Sequence, residues 1–210
     1  MQEIRAALGL SGPEAQVSGE GNLPSRYAVT ELLTASMAAV GAALAGLMAG
    51  TGLASVAPAV TVDRRLASLW AGHSLEPVGW ELPPVWDAVA GDYPTRDGWI
   101  RLHTNLPHHR DAALSVLGVG VDRAAVARAL LERDKDEVEA KVVAAGGVAA
   151  AMRSRAEWRA HPNGAAVAAE PLIHWDDPVP APALTWQGRP DRPLAGLKVL
   201  DLTRVLAGPV

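Results

Sequence analysis

Cysteine is absent from the 210 residues, so no disulfide framework, thiolate zinc site or cysteine nucleophile is available, and nothing argues for export. Clustered positive charge is absent too. Nineteen Lys and Arg against 23 Asp and Glu leave a net charge of −4, and no basic run offers the row of phosphate-neutralising cations that nucleic acid requires. The N-terminus, MQEIRAALGLSGPEA, lacks the basic and continuously apolar regions of a signal peptide. Neither a Ser-His-Asp arrangement nor a Walker-type loop is present. The expectation is a cytoplasmic chain that binds no nucleic acid.

What is present is enough apolar sequence, 49% of the residues, for one large or two small cores. Leu32 to Ala49 holds 18 residues without a charge, but they are rich in Ala and Gly. Such a segment gains little from lipid and allows close backbone approach, so it reads as a buried helix and no membrane partner is expected. Residues 1–24 read as a flexible lead-in after a short helix at Glu3–Leu8. The long helix runs from about Tyr27 to Gly50, an apolar run covers Val56–Val62, and Asp63 caps a helix in DRRLASLWAGH. Prolines make Glu76–Pro94 an irregular crossing. Gly98–Thr104 alternates Ile100 and Leu102 with Trp99, Arg101 and His103, the period of a half-exposed strand.

Helices are expected at His108–Leu117, closed by Gly118, and after the Asp122 cap, with Val126, Leu130 and Leu131 on one face. A further helix carries the Glu137/Lys141 pair and ends at Gly146-Gly147, and Ser154–Trp158 has capping-box spacing. Glu170–Trp175 (EPLIHW) reads as a last strand. Residues 176–192 are proline-rich linker chemistry, and 193–210 read as the strand and helix mouth of a new domain. The organisation is therefore a lead-in (1–24), an α/β region (25–175), a linker (176–192) and a truncated domain start (193–210).

Few residues carry candidate chemistry. In HTNLPHHR, His103 and His108 are five apart and adjacent His108 and His109 point in different directions on a helix. With no carboxylate spaced to complete a set, no metal site is expected. GVGVD at Gly118–Asp122 is a helix stop, since it lacks the third glycine of a dinucleotide loop. The seven tryptophans are scattered singly and read as packing. Glu31, a carboxylate one turn inside an apolar helix, is either favourable charge at a helix N-terminus or a functional group.

RPLAGLKVLDLTRVLAGPV resembles the opening of the family III CoA-transferases, the formyl-CoA transferase and carnitine CoA-transferase group. SRYAVTELLTASMAAVGAAL, VTVDRRLASLW, DGWIRLHTNLPHHR and EWRAHPNG resemble the N-terminal extension of longer members, itself a degenerate copy of the family's later half. The resemblance implies an α/β, incomplete Rossmann-like CoA-transferase fold, with a helix-rich body, a short β component and a truncated C-terminal strand. It also implies the front piece of a longer protein, inactive alone. AVTELLTASMAA follows the layout of the family's nucleophilic aspartate pattern, P-V-x-D-x-x-T-G-x-x-A-A, with Glu31 at the aspartate and Ala35 or Ser36 in place of the glycine.

The resemblance implies that a carboxylate there attacks an acyl-CoA thioester, forming a mixed anhydride and releasing CoA thiolate, which then attacks the enzyme's carbonyl to give an enzyme-bound thioester and release the first acid as its carboxylate. The extra methylene of Glu displaces the attacking oxygen, and a misplacement of about 1 Å costs on the order of a hundredfold. By the same resemblance Arg204, Val205, Leu206, Ala207 and Gly208 line the CoA pocket, with coenzyme A or acyl-CoA as substrate rather than a tightly bound cofactor. The implied partners are an acyl-CoA, a carboxylic acid, and a second copy or a complete CoA-transferase. The alternative is a non-catalytic or regulatory subunit of a complete CoA-transferase.

Overall fold

A computed structural model describes residues 2–72, 77–177, 179–182 and 186–203. The chain divides into two compact units, one of 1–76 with 170–210 and one of 77–169. The span 25–175 is thus shared between them. The architecture is helix-rich α/β with short strands, as the sequence leads one to expect.

The first unit contains α1 (Gln2–Ala7), β1 (Gln16–Ser18), α2 (Val29–Gly50), β2 (Thr61–Asp63) and α3 (Arg64–Leu69). Helix α2 is built on small residues. Ala35, Ala38, Ala39, Ala42 and Ala45 form its buried face, while Leu32 and Val40 are exposed. Glycine on this helix lets a neighbour pack closely: a Cβ added to Gly41 would stand 2.6 Å from Val60 Cγ1. Ala38, Val62 and Ala67 form a small core with Ala15, Met37 and Val60 packed against it. Strand β1 runs parallel to β2, with Gln16 opposite Thr61. Asp63 ends β2 and caps α3, its Oδ1 accepting from the Leu66 N–H at 2.9 Å.

The second unit contains β3 (Gly91–Thr95), β4 (Gly98–Leu102), α4 (Pro107–Leu117), α5 (Arg123–Leu131), α6 (Lys135–Ala144), β5 (Ala149–Ala151), α7 (Arg155–Ala160) and α8 (Pro162–Ala169). The three strands form an antiparallel sheet in the order β3-β4-β5. Ile100 and Leu102 are fully buried and Trp99 is half exposed, so the alternation read in the sequence is the alternation of the sheet. Leu114, Leu117, Val126, Leu130, Val138 and Val142 of α4, α5 and α6 complete the core with Tyr93. Gly118 closes α4 at φ 69°, a left-handed position that suits glycine. Ser154 and Glu157 form the reciprocal capping box of α7. The Ser154 N–H and hydroxyl, then Lys135, hold the Glu157 carboxyl down to about 2.

Several expectations change. Gly91–Thr95, which begins inside the stretch read as irregular, is a strand despite Pro94; it lies at the sheet edge, where a missing N–H is tolerated. Leu131 is exposed, turned away from the face that buries Val126 and Leu130. Glu170–Trp175 is not a strand, having no neighbouring strand to pair with; the Trp175 indole N–H instead donates to the Ala7 carbonyl at 2.9 Å. Residues 197–203 form no ladder, and Val199, Leu200 and Leu202 are exposed.

Candidate functional site

Glu31 stands in the first turn of α2 with its side chain half exposed. Its Oε1 accepts from Arg64 Nη2 at 2.6 Å, across 33 residues of sequence. Arg64 is itself fixed: Nε donates to the Gly21 carbonyl at 2.8 Å and Nη2 also donates to Asn22 Oδ1. Next to this pair Thr30 is buried, its hydroxyl accepting from the Leu23 N–H at 2.9 Å and lying 3.2 Å from Ser68 Oγ. Ser68 Oγ in turn donates to the Arg64 carbonyl. The loop 21–23, the start of α2 and one face of α3 are therefore knit by a single polar network. The Arg64 guanidinium bonded to Glu31, helped by the backbone of the helix start, holds its carboxyl below the usual carboxylate range.

A shallow pocket of about 250 Å³ opens beside the network, lined by Asn22, Leu23, Arg65, Ser68 and Leu69 among others. Glu31 is not among its lining residues. One turn along α2, Thr34 is buried and its hydroxyl has no partner among the described residues. Sequence reading singled out Glu31 and the Asp63 cap but missed Arg64, Asn22 and Ser68. Arg64 is 33 residues from Glu31, Ser68 is 38 from Thr30 and Asn22 is 42 from Arg64, beyond the reach of any local pattern.

In the second unit Asp87 gathers the Thr104 hydroxyl (2.8 Å), the Val89 N–H (3.1 Å) and Arg110 Nη1 (3.1 Å). Burial pushes its carboxyl up, but the three donors outweigh that and leave it below the usual range. The His108 and His109 rings lie 4.2 Å apart, and His103 meets Trp86 edge-on. Among the described residues no group of three or more His, Asp or Glu side chains is placed to hold a metal ion. Arg204, Val205, Leu206, Ala207 and Gly208 lie outside the described residues.

No protein-family model matches the chain. An acyl-CoA transferase of Gibberella moniliformis is 32% identical across 143 residues, which cover 60% of this chain and 25% of that protein. Over that stretch the chain is similar in sequence to an acyl-CoA transferase. The relationship spans about a quarter of the fungal protein's length. A crystal structure of a point mutant of Rv3272 from Mycobacterium tuberculosis is similar in fold, with a TM-score of 0.50 at 14% identity. The match covers 79% of this chain and 49% of that one. A CAIB/BAIF family protein from Brucella suis aligns with a TM-score of 0.47 at 16% identity, over 78% of this chain and 50% of its own.

Proposed function

We propose that this chain serves a protein that moves CoA between carboxylic acids, and that it does so as a scaffold half in which Glu31 is an ion-pair tether. The sequence relationship to an acyl-CoA transferase supports the first part. The Glu31–Arg64 contact carries the second. A carboxylate that attacks a thioester needs a basic, unengaged oxygen and space for the acyl group beside it. Pairing with a guanidinium lowers basicity, and the neighbouring pocket does not include Glu31. The residue is instead spent on holding Arg64, and through it the 21–22 loop, against the start of α2.

The half-exposed Glu31 side chain favours a second reading, in which its other oxygen is the acyl-accepting nucleophile. CoA exchange between an acyl-CoA and a free carboxylate separates the two. In the full gene product the tether predicts that Glu31→Gln retains exchange and slightly lowers the denaturation midpoint, and that Arg64→Ala does the same. A nucleophile predicts lost exchange at an unchanged midpoint.

Arg204, Val205, Leu206, Ala207 and Gly208 are assigned to the lining of the CoA pocket. Phosphate capture at such a turn uses a helix N-terminus held against a parallel sheet. The only parallel pair among the described residues is β1–β2, three residues each. A polypeptide of residues 1–210 is therefore expected to show no saturable rise in melting temperature with CoA. A ligand at 100 times its dissociation constant would add about 2.7 kcal/mol. A shift of that size would place a complete CoA site within these residues.

A further inference from the structure

Three histidines meet at the corner where β4 turns into α4. His108 and His109 follow Pro107 as the second and third residues of α4. This is the end of a helix where positive charge is unfavourable. The N-cap, Leu106, offers no side-chain acceptor. His109 Nδ1 is buried and has no hydrogen-bond partner among the described residues. Burial first, then the fields of His108 and His103, press its basicity down.

Carboxylates that could offset a charge on this ring are engaged elsewhere. On α4, Arg110 turns to Asp87, with Asp111 3.7 Å from its Nε. On β4, Arg101 pairs with Asp92 and lies over Trp86. On α6, which packs against α4, Lys135 pairs with Glu157, Asp136 and Glu139 hold Arg153, and Glu137 pairs with Lys141. On α5, Arg123 donates to the Ala90 carbonyl, Asp122 caps the helix, Arg128 is exposed, and Glu132 beyond its end is exposed. A proton on His109 would be an unpaired, partly buried charge.

We propose that His109 is an acid-sensitive latch: neutral, it keeps the first turn of α4 packed, and protonated, it opens that turn and loosens the core of the 77–169 unit. Ala113, Leu114 and Leu117 reach that core from α4, so opening its start exposes core contacts. The folded unit binds this proton less readily than the opened one, so packing is fully present above about pH 6.5, the ordinary histidine value, and weakens as pH falls below it.

Amide hydrogen exchange of the whole chain, corrected for the intrinsic pH dependence of exchange, reads the opening directly. The α4 amides should open up to about tenfold more for each pH unit below 6.5, per proton taken up. His109→Gln should remove that dependence, while His108→Gln and His103→Gln retain it. An unchanged dependence in His109→Gln, or none in the wild type, overturns the latch. Should His109→Gln fail to fold, proton NMR titration of the wild-type ring decides: a midpoint below about 6.5 supports the latch and one at or above it rejects it.

Discussion

Leu130→Ala is expected to destabilise the 77–169 unit by about 2–5 kcal/mol. Leu130 has no exposed surface and lies in the cluster with Val126, Val138, Val142, Ile100 and Leu102. Its removal takes away the transfer energy of the side chain. It also leaves a cavity lined by branched residues of two helices and a strand, which cannot collapse together. Leu131, next in sequence but exposed, provides the control: Leu131→Ala should change stability by no more than about 0.5 kcal/mol. Denaturant unfolding followed by exchange of the β4 amides measures both. Equal effects would mean that α5 is rotated from the orientation described.

Asp87→Ala is the second large effect, about 2–3 kcal/mol in the same unit. Asp87 ties the irregular approach to β3 onto the β4–α4 corner. Its oxygens take three donors, and its own N–H donates to Asn105 Oδ1 at 3.0 Å. Alanine leaves the Val89 N–H and Thr104 hydroxyl without their acceptor and Arg110 with only the more distant Asp111; solvent reaching Arg110 limits the cost. The direction of its shift adds a pH signature. A carboxyl held below its usual range stabilises fully above about pH 4 and loses that contribution as pH falls below it. Asp87→Ala should show a smaller acid loss than the wild type, the remainder coming from carboxyls such as Glu157 that other donors hold low.

The helices and β4 were legible because their signals are local. The Asp63 and Asp122 caps, the Ser154 box, the Gly118 stop and the Ile100/Leu102 alternation all act within a few residues. What the sequence concealed depends on partners distant along the chain. Ala149–Ala151 has no intrinsic strand preference and becomes a strand because β4 offers an open edge after the Gly146-Gly147 turn. Glu170–Trp175 has the composition of a strand and no edge to join. At the candidate site, Glu31 was visible as a charge in an apolar helix. The residue that defines its chemistry, Arg64, was not, because nothing in the spacing of DRRLASLW says which helix its guanidinium reaches. The buried Nδ1 of His109 was equally hidden, since only packing distinguishes it from exposed His108.

The most direct test of the account is CoA exchange by the full gene product, wild type and Glu31→Gln, with the same reactions quenched by borohydride and the peptide containing Glu31 examined by mass spectrometry. The account predicts exchange between an acyl-CoA and a free carboxylate at a rate the substitution changes by less than about tenfold, the cost of roughly 1.4 kcal/mol in the barrier, with no reduced, alcohol-bearing Glu31 in the wild-type peptide. Absence of exchange in the wild type, or a Glu31 side chain trapped as the alcohol together with lost exchange in Glu31→Gln, would contradict it.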